Sequence, residues 1–203
     1  MKPVARLGLL GGTFDPIHCA HLTMAQAARV ALHLDRVLFV PAGDPWRKEG
    51  RALTPPAHRL AMVEAAVAGL ADGAVSDLEI RRPGPTHTVD TLVALRAQGH
   101  GAIWLILGSD ALEDLPNWHE PGRLIVLARL AVVRRPGHIV VPERLEELLP
   151  GLAVVVDWVE MPPCSISATE IRARIRAGQS LAGMVPPAVL AYIEAHGLYR
   201  NDR

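Results

Sequence analysis

Lysine is nearly missing from this chain. The 203 residues include 21 Lys and Arg, of which only Lys2 and Lys48 are lysines. Cysteine is as scarce. Cys19 and Cys164 are the only two, which excludes a disulfide framework and a zinc ribbon and suits a reducing compartment. No apolar run reaches the roughly 18 residues that a bilayer span needs. The start, MKPVARLGLLGG, lacks a secretory h-region with a cleavage site. The expectation is a cytoplasmic protein with no membrane contact. Neither sign of charge prevails, since 21 acidic residues balance the 21 basic ones. Global electrostatics therefore leaves no footprint for nucleic acid or an anionic membrane. Any phosphate recognition falls to local clusters of cations. Familiar catalytic signatures are missing too. There is no Gly-Lys-Ser/Thr ending of a Walker A loop, no G-x-G-x-x-G, no G-x-S-x-G elbow and no His-Glu-x-x-His.

Half of the residues are hydrophobic, which argues for a packed core over disorder, and the length suits a single domain, 1–203. Short apolar runs alternate with amphipathic stretches. Strands are expected at 4–10, 36–41, 74–80, 102–108, 127–137 and 152–159. Helices are expected at 22–34, 56–70, 86–99, 167–178 and 186–197, with a Pro/Gly-rich basic loop at 42–55. Continuous apolar strands alternating with helices point to an α/β fold, a doubly wound, mostly parallel sheet. The strand at 102–108 is the most apolar and is expected to be central. In such sheets ligands bind beyond the carboxyl ends of the strands. The stretch GGTFDPIHCAH, the basic loop and LGSD all fall there.

GGTFDPIHCAH (11–21) is the densest of these. Gly11-Gly12 is expected to supply a tight turn and close backbone approach. Pro16 blocks helix continuation from upstream, so the next helix begins near residues 17–19. His18 and His21, at i and i+3, then share one face of its first turn. Free N–H groups and partial positive charge at that helix start would suit a phosphate. Zinc is the competing reading, but the spacing is not that of a zincin and no further ligand pair stands out. For His21 a helix-capping core role also stays open.

Near the other end, Ser167-Ala-Thr-Glu170 matches a capping box at the start of an amphipathic helix. Thr169 offers a hydroxyl and Arg172 a bidentate fork for phosphate. An ordinary capped helix with solvated arginines competes with that reading, and Arg174 and Arg176 fit it.

Gly11-Gly12-Thr13-Phe14-Asp15-Pro16-Ile17-His18-x-x-His21 resembles the first motif of the nucleotidyltransferase superfamily with the H-x-G-H signature. Cys164-Ser-Ile-Ser167-Ala-Thr169-Glu-Ile-Arg172 resembles its second, I-S-x-T-x-I-R. PTHTVDTL (85–92), LGSDAL (107–112), LPNWHE (115–120), RRPG (134–137) and YIEAHGLYR (192–200) extend the likeness, nearly end to end, to the bacterial nicotinate-mononucleotide adenylyltransferases. Ala20 departs from the signature glycine. Trp46 and Arg47 depart from a P-P-H-K loop that keeps Lys48. His87 stands where many relatives carry an aromatic residue.

The resemblance implies a Rossmann-like nucleotidyltransferase fold, with a C-terminal helical part (about 160–203) that carries the second phosphate motif. It implies transfer of AMP from ATP to nicotinate mononucleotide. The acceptor, a phosphate monoester with a second pKa of about 6, is already largely dianionic at neutral pH and needs no strong base. The task is positioning and charge stabilisation. By resemblance His18, His21, Thr13 and Arg172 would be catalytic. ATP would meet Gly11, Gly12, Thr13 and Phe14, the last through its backbone N–H, along with His18, His21, Gly108, Asp110, Ser167, Thr169 and Arg172. Nicotinate mononucleotide would meet Lys48, Arg47, Thr88, Val89, Trp118 and His119, with Trp118 stacked on the pyridine. Competing readings make Trp118 a core residue, Asp110 a helix N-cap, and Arg47 and Lys48 solvated loop charges. Mg2+ is expected with ATP, held chiefly by its phosphates and water, with no paired-carboxylate cage visible. The partners are then ATP and the mononucleotide, with a homo-oligomer compatible and no nucleic acid. The alternatives are an enzyme acting on NMN or phosphopantetheine, or a non-catalytic nucleotide sensor on the same fold.

Overall fold

The structure is a computed structural model that describes residues 4–45, 53–134 and 142–200. The chain runs β1 (Arg6–Gly12), α1 (Cys19–Ala31), β2 (Arg36–Pro41), the two-residue β3 (Asp44–Pro45) and α2 (Pro56–Val67). It continues through β4 (Gly73–Val75), β5 (Pro85–Thr86), α3 (Thr88–Ala97), β6 (Ala102–Gly108) and α4 (Ser109–Asp114). After a 3-10 turn at Leu115–Asn117 come α5 (Pro121–Leu127), β7 (Arg129–Val133), α6 (Pro142–Leu148) and α7 (Leu152–Val155). β8 (Val156–Val159), α8 (Ala168–Arg176) and α9 (Pro187–Ala195) complete it.

The strands make one six-stranded sheet, β4-β2-β1-β6-β7-β8, and a separate β3-β5 pair. The pairs β1–β6, β6–β7 and β7–β8 are parallel. This is the doubly wound α/β sheet expected from the sequence, with β6 at its centre. Val37 to Val40 and Ile103 to Leu107 are all buried, the price of having both faces of a parallel sheet covered. The order reverses between β1 and β6. Leu9 pairs with Leu105, so both strands end at the same carboxyl edge, where sheets of this kind hold ligands.

The chain forms two compact units. The first comprises Met1–Gly11, Met24–Leu38 and His87–Pro163, and the second Gly12–Thr23, Phe39–Thr86 and Cys164–Arg203. In the first, a Cβ on Gly8 would lie 2.9 Å from Leu34 and 3.0 Å from Ile106. Glycine there lets the segment after α1 pack down on the sheet. In the second, α2 starts with Pro56 at a position where a missing N–H costs nothing. Its buried stripe is Arg59, Met62, Val63, Ala66 and Val67. No helix among the described residues is long and apolar enough to cross a membrane.

Several expected elements differ in extent. The strand expected at 74–80 is only β4. Beyond it Ser76 Oγ accepts the Leu78 N–H at 3.3 Å and Arg81 N–H donates to Asp77 O at 2.9 Å, so local side-chain and turn bonds replace the ladder. The strand expected at 152–159 is helical in its first half. The Glu146 carboxylate accepts the N–H groups of Gly151 at 2.6 Å and Ala153 at 2.8 Å and so caps α7. Those bonds hold the Glu146 carboxyl below its usual range. The strand expected at 127–137 starts at Arg129, because α5 occupies the residues before it. Its expected end, 135–137, lies outside the described residues.

Between α3 and β6, His100 is 4 % exposed, and its Nδ1 accepts the Val4 N–H at 3.4 Å. Burial first, then nearby positive charge including Arg36, lowers its pKa from 6.5. The unfolded chain therefore takes up this proton at a higher pH than the folded one. Stability is complete above the unfolded value and declines as pH falls toward the folded one. Melting temperature should drop as the pH is lowered from about 7 to 5. His100→Asn, which cannot titrate, should flatten part of that slope. Identical slopes in parent and variant would remove His100 from the account.

Candidate phosphate and nucleotide site

The residues named from the sequence fall into two groups, one per compact unit. From Gly12 onward the first motif lies in the second unit. Gly11 and Gly12 are the last residues of β1 and not the turn, a correction to the expected Gly-Gly turn. Pairing persists to the end of the strand, since Gly12 O accepts the Ala42 N–H at 2.9 Å. A Cβ on Gly12 would stand 3.2 Å from the Phe14 ring, so glycine here makes room for Phe14. The turn itself is made by Phe14, in the left-handed region at φ 49°, and by the cis Asp15–Pro16 bond. The Phe14 ring is buried and packs on Phe39.

α1 then starts at Cys19, so His18 stands at the N-cap and His21 at the third helical position. His21 Nδ1 accepts the backbone N–H of His18 at 3.2 Å. This is the return half of a capping box, with an imidazole in the place of Glu. In its neutral form the ring must then carry its proton on Nε2, at the far end. The two rings stack with centroids 3.7 Å apart and planes 23° apart, and Phe14 meets His21 edge-on at 5.0 Å. The capping and ligand roles of His21 are thus compatible, one nitrogen serving the helix and the other presenting an N–H. The free N–H groups expected at this helix start are largely engaged. Cys19 donates to Met184 O at 2.9 Å and His21 to His18 O at 2.9 Å. Ala20 is buried at 6 % exposure, so its methyl faces the interior.

Asp15 joins the two motifs. Its carbonyl accepts Arg172 Nη1 at 2.7 Å. Its buried carboxylate accepts the Tyr199 hydroxyl at 2.7 Å and, more weakly, the Thr54 N–H at 3.4 Å. Arg172 Nη2 also lies 3.4 Å from Thr169 Oγ1. Ser167 is the N-cap of α8, and its Oγ accepts the Glu170 N–H at 3.2 Å. Only this half of the expected capping box forms, because the Glu170 carboxylate turns to Arg174 at 3.0 Å.

Arg59, 1 % exposed, holds the same region from beneath. It donates to Thr54 O at 2.9 Å, Thr13 O at 2.8 Å, Ala42 O at 2.6 Å and Gly43 O at 3.0 Å. One guanidinium thus ties the first-motif turn to both flanks of residues 46–52. Arg47 and Lys48 fall in that stretch, outside the described residues.

The other group lies in the first unit. Gly108 ends β6 and is the N-cap of α4, so Asp110 is a first-turn residue and not the cap. Thr88 opens α3 after His87, and Val89 is buried. Trp118 is half-buried and donates Nε1–H to Asp114 at 3.1 Å; it is not a core tryptophan. The His87 and His119 rings stack at 4.2 Å, and His119 Nε2 lies 3.5 Å from Glu120.

A family model described as cytidylyltransferase-like matches residues 9–174. A protein of Roseiflexus sp. (strain RS-1) named "Probable nicotinate-nucleotide adenylyltransferase" is 50% identical over 196 residues, 97% of this chain and 98% of its own length. One of Thermomicrobium roseum with the same name is 46% identical over 199 residues, 98% of this chain and 93% of its own. The chain belongs to the cytidylyltransferase-like family, among its nicotinate-nucleotide adenylyltransferases. The solved structure of Plasmodium falciparum nicotinic acid mononucleotide adenylyltransferase complexed with NaAD has a TM-score of 0.78 at 21% identity, covering 98% of this chain and 99% of that one. At that identity the likeness concerns the fold.

The family motifs mark the first-motif turn and the start of α8, yet sequence reasoning passed over Asp15, Arg59 and Tyr199. A signal existed for Arg59, a cation standing in the apolar stripe of a helix. For Tyr199 there was none beyond its place in the closing YIEAHGLYR stretch.

Proposed function

We infer that the chain transfers AMP from ATP to nicotinate mononucleotide, giving deamido-NAD and pyrophosphate. The observation that carries this is the gathering of His18, His21, Thr169 and Arg172 around the Thr13–Ile17 turn within one compact unit. In this reading a phosphate oxygen of the mononucleotide attacks the α-phosphorus of ATP. One P–O bond forms, the bond to the β-phosphate breaks, and pyrophosphate leaves with that electron pair. No protein nucleophile is required. His18 and the Nε2–H of His21 stabilise the charge that develops on the transferred group and the leaving phosphates. Thr13 and the backbone from Gly12 to Phe14 hold phosphate from the turn. Gly11, Ser167 and Thr169 frame it, and Arg172 stands fixed on Asp15 O. Gly108 and Asp110 take the adenosine. Trp118, Thr88, the backbone of Val89, and His119 take the nicotinate, while Arg47 and Lys48 reach its phosphate.

Among the described residues no three His, Cys, Asp or Glu side chains converge as a metal cage. A protein-held ion does not fit this donor set. Mg2+ would come with the ATP phosphates, and none of these steps is assigned to it. With ATP and a pyridine mononucleotide as its substrates, we infer that the chain works in the cytoplasm.

The test compares nicotinate mononucleotide, NMN and phosphopantetheine as AMP acceptors, with pyrophosphate release as readout. The acid mononucleotide should lead NMN by about tenfold or more in kcat/KM, the margin expected when donors built for a carboxylate meet an amide instead. Fastest turnover with phosphopantetheine would move the chain to another branch. ATP binding without pyrophosphate release from any of the three would make it a sensor.

A further inference from the structure

The last helix ends in a way that sends one side chain back to the first motif. Leu198 N–H donates to Ile193 O at 3.0 Å and Gly197 N–H to Glu194 O at 3.2 Å, with Gly197 at φ 59°. This is the paired bonding of a Schellman motif. Tyr199 follows at φ 65°, in a region a tyrosine adopts only when its surroundings hold it there. Its hydroxyl donates to Asp15 Oδ1 at 2.7 Å. Asp15 is 5 % exposed, so its carboxylate depends on the partners it has. Burial, and then the Asp15 charge, push the phenol pKa well above its ordinary value. Tyr199 therefore remains a donor throughout the working pH range.

Asp15 lies three residues before His18, and its own carbonyl holds Arg172 at 2.7 Å. A shift of Asp15 would move a group from each motif. We propose that Tyr199 is a positioning residue for the transfer reaction, setting His18 and Arg172 through the buried carboxylate of Asp15. The proposal rests on the function inferred above for those two residues. It adds the C-terminal segment, which touches no reacting group, to the machinery that sets their geometry. An ordinary packing role would stabilise the fold without altering turnover of the molecules that remain folded.

The test is Tyr199→Phe in the full chain, which keeps the ring and deletes the hydroxyl. kcat should fall roughly tenfold, the scale of a sub-ångström misplacement of reacting groups, while KM for both substrates stays within about twofold. The imidazole 15N resonances of His21 and the amide of His18 should shift, because their mutual bond sits on the segment that Asp15 fixes. Asp15→Asn should act on the same element, so the double variant should lose less than the product of the two single losses. Unchanged kcat with only a lower melting temperature would overturn the proposal, and so would unmoved histidine resonances. Shifted resonances in a protein whose parent transfers no AMP would uphold the positioning link while removing the inferred function.

Discussion

Alanine at His18 should lower kcat by about 10²- to 10³-fold, the usual loss when one donor to a developing oxyanion is removed. The affinity for ATP should change far less, because many contacts share the ground state. The geometry makes this substitution informative. The backbone N–H of His18 donates to His21 Nδ1, and alanine keeps that N–H. The capping bond and the Nε2–H tautomer of His21 therefore survive. What disappears is the imidazole stacked 3.7 Å away, a modest packing loss beside the catalytic one. Calorimetric titration with ATP and steady-state kinetics separate the two effects. Equal fold-losses in affinity and kcat/KM, with kcat intact, would make His18 a binding residue only.

The parts of this molecule that could be read from the sequence share one property: the signal lies in adjacent residues. β2 and β6 have the expected boundaries because their apolar runs are unbroken and flanked by turn residues. Residues 76–80 and the first half of 152–159 depart from the expected strands for the same reason. Their composition suits a strand, but Ser76, Asp77 and Glu146 supply local or tertiary bonds that cap a turn instead. The motifs were legible because turn chemistry, helix starts and histidine spacing are local. The Gly11-Gly12 turn is the exception: both residues end β1, and at Gly12 the space that glycine leaves is taken by the Phe14 ring, a packing demand that a linear pattern does not show. Asp15, Arg59 and Tyr199 are joined over long sequence separations, and a linear pattern does not carry such bonds. Arg47 and Lys48 lie outside the described residues.

Arg59 shows what such a bond is worth. A charged side chain in the apolar stripe of α2 would ordinarily be costly, and burial does pull the Arg59 pKa down while the Asp15 charge pushes it back. The cost is met by four carbonyls, those of Thr13, Ala42, Gly43 and Thr54. Arg59→Met keeps the length and apolar fit of the stripe but strands those acceptors and leaves Asp15 without its buried cation. Each stranded group costs about 1–3 kcal/mol, with water recovering part, so a net loss of about 3–5 kcal/mol is expected. For a chain of this size that lowers the melting temperature by on the order of 10 °C. Arg59→Lys should fall between parent and Met, since an ammonium has three donors and no planar fork. The ordering of the three proteins separates charge from geometry. If Lys matches the parent, the buried charge alone matters. If Lys falls with Met, the fork matters. A Met variant melting within about 2 °C of the parent would mean that the carbonyls find water at no cost and that Arg59 is no clamp.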